Sequence, residues 1–301
     1  MTDPIRTTDS RDIPGPEPEP RHDWRNLTYA NTFDNPVKRA TIRSLEWLTG
    51  KPRIVSMLRT FRRMGPHQRR TFWADALQVM NVRIDTPAEQ IARIPATGPV
   101  VVVANHPHGM VDGMVLSELI SRVRTDYKIL VRSILTQIDP MAASLQIAVP
   151  FPHEEDAAAK GLAMRKKAMA QLATGGVIAL FPSGVVATSQ SWWGPAVEGE
   201  WALFTANLIR RSGATVVPVY FPGQNSRAYQ IAHQISPTLR QGLLLHEIVA
   251  ACDTPQAPVI GRPIPFEEMA ERLESPRAAM DWLRARTLAL GQRVGTGTSP
   301  E

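Results

Sequence analysis

The chain has 301 residues, of which 43% are hydrophobic and 21% are charged, so it is long enough to bury one large core or two modest ones. Its single cysteine, Cys252, excludes a disulfide framework and a cysteine-based metal site. No signal-peptide core and no apolar run near the ~20 residues that cross a bilayer are visible, and we therefore expect a cytoplasmic protein.

The net charge of +6 comes from one segment. Residues 38–75 carry ten lysines and arginines against Glu46 and Asp75, a net charge of +8, whereas residues 1–37 carry a net charge of −3. A local positive patch indicates a surface that meets an anionic partner.

Residues 1–34 are predicted to be a disordered tail, because prolines alternate with acidic residues and apolar residues are few.

Residues 35–82 are predicted to form helices. Asn35 and Pro36 supply a cap and a first turn, Gly50 ends the first helix, and Pro52 begins the second. A third helix follows the Gly-Pro pair at residues 65–66.

The second of these helices is basic and amphipathic. Its apolar residues recur at helical spacing, and four arginines occupy the remaining arc: Arg53, Arg59, Arg62 and Arg63. Such a helix can dock in the plane of an anionic membrane, where each basic residue contributes about 1 kcal/mol. The alternative is a packed helical hairpin with its arginines in solvent, and the pattern alone leaves both interpretations open.

Residues 83–290 are predicted to form an α/β domain with a mainly parallel sheet flanked by helices, because apolar runs alternate with helical stretches. The predicted strands are 100–104, 127–131, 145–149, 176–181, 214–221 and 258–260. The predicted later helices are 157–174, 200–211, 240–251 and 266–290. Gly291 is expected to end the last helix, with residues 291–301 as a tail.

The best candidate for chemistry is the Asn-His-Pro-His-Gly loop at residues 105–109, called the reactive loop below, between the first predicted strand and a helix. Ligands of open α/β sheets gather at the carboxyl ends of strands. His106 could act as a general base, with Asp112 on its other ring nitrogen. On spacing alone the structural alternative is stronger: Asp112 as a helix cap and His106 as a polar strand end.

Two other chemistries are weaker. His-x-His near an aspartate invites zinc, but zinc needs three or four ligands and the other five histidines form no second cluster. Ser183 follows a predicted strand, yet it lacks the Gly-x-Ser-x-Gly elbow of an esterase and could be only a turn residue. We therefore predict no metal site.

The motifs together resemble the lysophospholipid acyltransferase (glycerolipid acyltransferase) superfamily. Residues 105–113 resemble its first block, in which a histidine is usually followed by four residues and then an aspartate. Here five residues separate His106 from Asp112, a spacing typical of the hemolysin-like subgroup and its Asn-His-Pro-x-Gly-x-x-Asp-Gly pattern. Phe-Pro-Ser-Gly-Val-Val at 181–186 resembles the third block, and Val-Pro-Val-Tyr-Phe-Pro-Gly-Gln-Asn-Ser at 217–226 the fourth. Residues 260–264 resemble the subgroup's closing strand, so the similarity covers roughly residues 35–270.

This resemblance implies a membrane-peripheral O-acyltransferase. It also makes the catalytic interpretation of His106 and Asp112 stronger than the structural one. His106 would deprotonate a hydroxyl of a lysophospholipid or related lipid, which attacks the thioester of acyl-CoA or acyl-carrier protein. Asp112 would orient His106, and loop amides near Gly109 could stabilise the oxyanion. No cofactor is needed, and the expected location is the inner face of the plasma membrane.

The third block implies a substrate-binding segment at Phe181, Pro182, Ser183 and Gly184. Ser183 stands where many family members have glutamate, so one carboxylate contact to the acceptor is absent. The family's second block normally offers an arginine for the acceptor phosphate. Arg132 is the candidate for that arginine, although its surroundings, Leu-Val-Arg-Ser at 130–133, match the second block poorly. His108 could compete with His106 for the base role or be only a loop residue.

Several further positions are weaker candidates. Arg165, Lys166 and Lys167 could meet coenzyme A phosphates or an acidic carrier protein, or form a solvated helix face. Asn225 could contact substrate or only shape a turn. The tryptophans could line an acyl channel, insert at the membrane interface, or pack in the core: Trp192, Trp193 and Trp201.

Two rival functions remain. A hydrolase could act on the same ester or thioester. The basic helices could instead bind nucleic acid, but nearly all of the excess charge precedes the reactive loop and no aromatic-basic platform appears on the predicted sheet.

Overall fold

A six-stranded sheet organises the residues that the computed structural model describes, which are 27–152 and 154–295. Its strands are β1 (Val100–Ala104), β2 (Tyr127–Arg132), β3 (Gln146–Val149), β4 (Val177–Leu180), β7 (Thr215–Tyr220) and β8 (Val259–Ile260). A separate antiparallel pair consists of β5 (Thr188–Ser189) and β6 (Ala196–Val197). The strand order in the large sheet is β3-β2-β4-β1-β7-β8.

All neighbours in the large sheet are parallel except β7 and β8. The central strand β1 is buried along its whole length because helices cover both faces. Val100, Val102 and Ala104 face one apolar cluster, and Val101 and Val103 face the other. The prediction of an α/β fold with a mainly parallel sheet is confirmed.

Thirteen helices are assigned within the described ranges. The first seven are α1 (Pro36–Thr49), α2 (Lys51–Arg63), α3 (Phe72–Val79), α4 (Ala88–Ile91), α5 (Met110–Ser121), α6 (Pro140–Ser144) and α7 (Ala157–Ala173). The rest are α8 (Leu203–Ser212), α9 (Arg227–Ile235), α10 (Pro237–Gly242), α11 (Leu244–Ala250), α12 (Phe266–Arg272) and α13 (Pro276–Gly295). Short 3₁₀ helices occupy Tyr29–Thr32 and Ser133–Gln137. Within these ranges, no helix combines the length and apolar character that crossing a membrane requires.

The three N-terminal helices form as predicted, and α1 and α2 make a hairpin. The Asn35 side chain caps α1 by accepting from the amides of Val37 and Lys38. The apolar side of α2 faces inward: Ile54 and Phe61 are buried in the core, while the four arginines are exposed. The packed interpretation therefore describes α2, whose apolar side chains are not free to enter a membrane.

The predicted tail boundary at residue 34 is wrong. Residues 27–30 are buried, and Leu27 and Tyr29 belong to the core. The buried carboxylate of Glu46 on α1 accepts hydrogen bonds from the Thr28 hydroxyl at 2.6 Å and the Tyr29 amide at 2.7 Å. These bonds anchor the segment by contacts that composition does not reveal. Residues 1–26 of the predicted tail lie outside the described residues.

The predicted end of the last helix at Gly291 is also wrong, because α13 continues to Gly295. A side chain at Gly291 would overlap the ring of Tyr220, so the glycine permits close approach of the helix to β7. Predicted helix 266–290 is two helices, since Pro276 starts a new one and disfavours helical backbone before it. Predicted helix 240–251 likewise divides between α10 and α11.

Candidate active site

The reactive loop joins the carboxyl end of β1 to the first turn of α5. Gly109 precedes the helix with φ of +82°, a conformation that side chains rarely adopt. Asn105 ties the loop to the end of β7: its amide nitrogen donates to the Phe221 carbonyl at 2.8 Å, and its amide oxygen accepts from the Phe221 N–H at 2.7 Å. This clamp, which sequence reasoning missed, holds the following histidine at the edge of the sheet.

Asp112 lies in the first turn of α5, and its side chain is fully buried. Its Oδ2 lies 3.0 Å from Nδ1 of His106 and accepts the amides of His108 at 2.8 Å and Gly109 at 3.1 Å. One carboxylate therefore caps the helix and holds the imidazole, so the two sequence interpretations are not exclusive. The amides of His108 and Gly109 both donate to Asp112, so the oxyanion contact expected from loop amides near Gly109 stays a prediction for the other amides of this loop.

A second imidazole shares the same carboxylate. Nδ1 of His108 lies 3.1 Å from Oδ1 of Asp112. Burial alone would raise the pKa of Asp112, but hydrogen bonds from the two imidazoles, with their charges, bring it below its usual value. Burial alone would lower the pKa of His108, but its hydrogen bond to Asp112 and the charges of Asp112 and Glu247 raise it above its usual value.

His106 is supported on its other sides by groups from distant parts of the chain. Its ring stacks on Phe181, with centroids 3.9 Å apart. Its backbone N–H donates to Glu198 at 3.0 Å, and its carbonyl accepts from the Ala187 amide at 2.8 Å. The buried Glu198 carboxylate also accepts from the indole of Trp201 at 3.1 Å. No sequence motif marks Glu198, which is 92 positions from His106.

His106 lies on the wall of a cavity of about 520 Å³, a volume within the usual range for small-molecule sites. Its lining is mostly apolar and comes from the N-terminal helices, α5, α11 and the strand ends, including Ile54, Leu58, Phe61, Trp73, Met114 and Leu244. Met110, Gly113, Met114 and Ser117 line it from one side of α5. At 1.5 Å per residue, this stripe extends about 10 Å from the reactive loop.

The cavity brings together most of the predicted substrate-binding residues. Gly109, Phe181, Pro182, Gly184 and Arg132 all line it. The Arg132 guanidinium donates to the Gly184 carbonyl at 2.9 Å and lies 5.0 Å from the centre of the Phe151 ring. The second-block candidate and the third block therefore meet beside His106.

Ser183 does not line the cavity; its hydroxyl donates to the Val185 carbonyl at 3.0 Å, as expected of a turn residue. Arg165 lines the cavity from α7, whereas Lys166 and Lys167 are exposed outside its lining. Asn225 is buried away from the cavity lining, in the loop after β7.

The tryptophans do not line the cavity either. Trp201 is fully buried in the core, and Trp192 and Trp193 are exposed between β5 and β6. Across residues 27–152 and 154–295, no group of three or more His, Cys, Asp or Glu side chains is arranged to hold a metal ion.

Comparison with known proteins places the chain in a family. A family model described as "Acyltransferase" matches residues 36–245, which include the reactive loop and the Phe-Pro-Ser-Gly segment. Comparison with curated proteins found no significant match. Among solved structures, 1-acyl-sn-glycerophosphate (LPA) acyltransferase, PlsC, from Thermotoga maritima is 15% identical over 82% of this chain and 88% of that chain, with a TM-score of 0.44. Because the family model spans more than half of its residues, the chain belongs to the acyltransferase family.

Proposed function

We propose that this acyltransferase moves a fatty acyl group from acyl-CoA or acyl-carrier protein to a hydroxyl of a lysophospholipid or related lipid. The observation that carries the proposal is the position of His106, which is bound to Asp112 at 3.0 Å and lies on the wall of a mostly apolar cavity. An imidazole supported by a carboxylate suits proton abstraction, and an apolar cavity suits an acyl chain.

In this mechanism Nδ1 of His106 bonds to Asp112, which leaves Nε2 to accept the acceptor's proton. The acceptor oxygen attacks the thioester carbonyl carbon as its proton moves to Nε2. The new C–O bond forms, the C–S bond breaks, and His106 returns the proton to the departing sulfur. The products are an ester and a free thiol, and Asp112 stabilises the transient imidazolium.

Arg132 is the proposed contact for an acceptor phosphate, because its guanidinium lies at the cavity next to the Phe-Pro-Ser-Gly segment. Arg165, which lines the cavity from α7, is the proposed contact for the donor's phosphates or for an acidic carrier protein. The turn role of Ser183 leaves the acceptor without the carboxylate contact that many family members offer.

The function is tested with purified protein, palmitoyl-CoA and a panel of lysophospholipids. We expect thiol release that depends on the acceptor, together with a diacyl product identified by mass spectrometry. Thiol release at the same rate without acceptor would indicate a hydrolase and contradict acyl transfer.

Gly113 offers a test of where the acyl chain lies. A Cβ atom there would be 3.8 Å from Ile129 and 3.9 Å from Phe181, so alanine fits but a larger side chain must enter the cavity. Gly113→Leu is expected to lower transfer of palmitoyl chains about tenfold or more, since displaced methylenes lose about 0.8 kcal/mol each. Short acyl chains should be transferred nearly as before, and Gly113→Ala is the control. An equal loss at every chain length would contradict this assignment.

We also propose that α1 docks the protein on an anionic membrane at the cytoplasmic side. With α2 packed inward, the outer side of α1 carries three exposed apolar side chains: Val37 at 72%, Trp47 at 61% and Leu48 at 85%. Exposed basic residues of the same helix can meet lipid phosphates: Lys38, Arg39 and Arg43.

Trp47→Ser combined with Leu48→Ser should weaken sedimentation with phosphatidylglycerol-containing vesicles about tenfold or more, because each buried apolar side chain contributes about 1.5–3 kcal/mol. High salt should also weaken sedimentation of the wild-type protein with these vesicles. The control is Trp193→Ser, which removes a 77% exposed tryptophan elsewhere. Vesicle binding that survives both the double substitution and high salt would contradict docking through α1.

A further inference from the structure

Two imidazoles share one buried carboxylate at the reactive loop. Nδ1 of His106 faces Oδ2 of Asp112 at 3.0 Å, and Nδ1 of His108 faces Oδ1 at 3.1 Å. His106 lines the cavity, whereas His108 lies outside its lining. The second imidazole therefore contacts the catalytic pair without facing the reacting atoms.

His108 is enclosed by groups from several elements. On α5 it meets Asp112, and across the loop after β7 its ring packs against Gly223, where a Cβ would lie 2.9 Å from Nε2. The charge of Glu247 on α11 also acts on it, although that carboxylate is bonded to Ser226 at 2.6 Å and 2.8 Å. His108 is therefore bonded to one buried carboxylate and acted on by the charge of a second, and both favour the charged imidazolium.

The other charged groups around the pair come from two more segments. Glu198 accepts the backbone N–H of His106, and Arg132 lines the same cavity as His106. A general base must be neutral before it takes a proton, yet a buried carboxylate with only one imidazole partner favours protonation of that partner. A charge that offsets Asp112 from the side opposite His106 would reduce this tendency.

We propose that His108 is a positioning residue whose positive charge balances Asp112, so that His106 stays neutral and able to accept a proton at the working pH. This inference rests on the proposed function, in which His106 is the general base. His108 holds Asp112 from the second oxygen and does not contact substrate.

The test is the pH dependence of kcat/KM for palmitoyl-CoA and the best lysophospholipid of the panel. His108→Gln can keep a hydrogen bond to Asp112 but carries no charge. We expect the acid limb of its profile to move to higher pH by about one unit, as the loss of one charge across a carboxylate predicts. Above that limb the rate should recover to near the wild-type plateau.

His108→Lys restores a positive charge without the ring, and its acid limb should return toward the wild-type position. His67→Gln is the matched control, because His67 forms a separate His–Asp pair with Asp75 at 2.8 Å; its profile should not move. A uniform loss of less than about 10²-fold at all pH values, with an unmoved acid limb, in His108→Gln would reduce His108 to a structural role and overturn the inference. Loss of about 10²-fold or more at every pH would identify His108 as the base and overturn it as well.

A measurement without turnover separates this inference from the proposed function. Nitrogen NMR of histidine-labelled wild-type protein should show the His108 ring protonated at pH values where the His106 ring is neutral. The reverse order would overturn the role of His108 even if acyl transfer is found. Absence of acceptor-dependent thiol release would instead overturn the proposed function. The NMR result would still report which of the two rings is protonated.

Discussion

Replacement of His106 by glutamine should lower kcat/KM for acyl transfer by about 10²–10⁴-fold, the usual contribution of a positioned general base. Glutamine can still bond to Asp112, but it has no basic nitrogen to take the acceptor's proton. The loss is expected mainly in kcat, because the mostly apolar cavity that binds the acyl chain is left intact.

His67→Gln is again the matched control. It removes an imidazole that is also bonded to an aspartate but lies between α2 and α3. Its turnover should stay near the wild-type value, and both variants should unfold cooperatively in denaturant. Unchanged turnover of a folded His106→Gln protein would contradict the proposed mechanism.

Replacement of Asp112 should affect both turnover and stability, because this one carboxylate serves four donors. Asp112→Asn keeps an oxygen for the loop amides but removes the charge that stabilises the His106 imidazolium, and we expect kcat to fall by up to about 10⁴-fold. Asp112→Ala also leaves the part-buried amide of His108 and the buried amide of Gly109 unpaired, and we expect it to lower the free energy of unfolding by about 3–5 kcal/mol.

The stability effect of Asp112 should depend on pH. Its pKa in the folded protein lies below the value of about 3.9 typical of unfolded chains, so the ionised carboxylate stabilises the fold above that pH. This contribution is lost as the pH falls through the folded-state pKa. The difference in unfolding free energy between wild type and Asp112→Asn should therefore shrink from pH 6 to pH 3 in urea titrations. A constant difference would indicate that Asp112 stabilises the fold through packing alone.

Local patterns in the sequence were sufficient for much of the fold. Apolar β-branched runs and turn residues located the six strands of the large sheet, and caps such as Asn35-Pro36 located the first helices. These features depend on neighbours within a few positions, which a sequence displays directly. The two-residue strands β5 and β6 were missed because they are too short to carry a pattern.

The sequence by itself determined the reactive loop. Its polar residues follow a buried strand and precede a helix, so they had to lie at the carboxyl edge of the sheet. It could not determine the groups that hold the loop there, because Phe221 is 116 positions from Asn105 and Glu198 is 92 positions from His106. Nor could it decide that Leu27 and Tyr29 join the core, since the Glu46 carboxylate that anchors them is brought near by folding.

Only the tertiary structure decided between the interpretations that the pattern left open. The apolar side of α2 is the same whether it meets lipid or protein, and packing over the cavity shows that it meets protein. The position of Asp112 in the sequence fits both a helix cap and a partner of His106. The structure shows one carboxylate in both roles. Spacing gives the distance along the chain, whereas hydrogen-bond partners depend on the distance in space, which folding alone establishes.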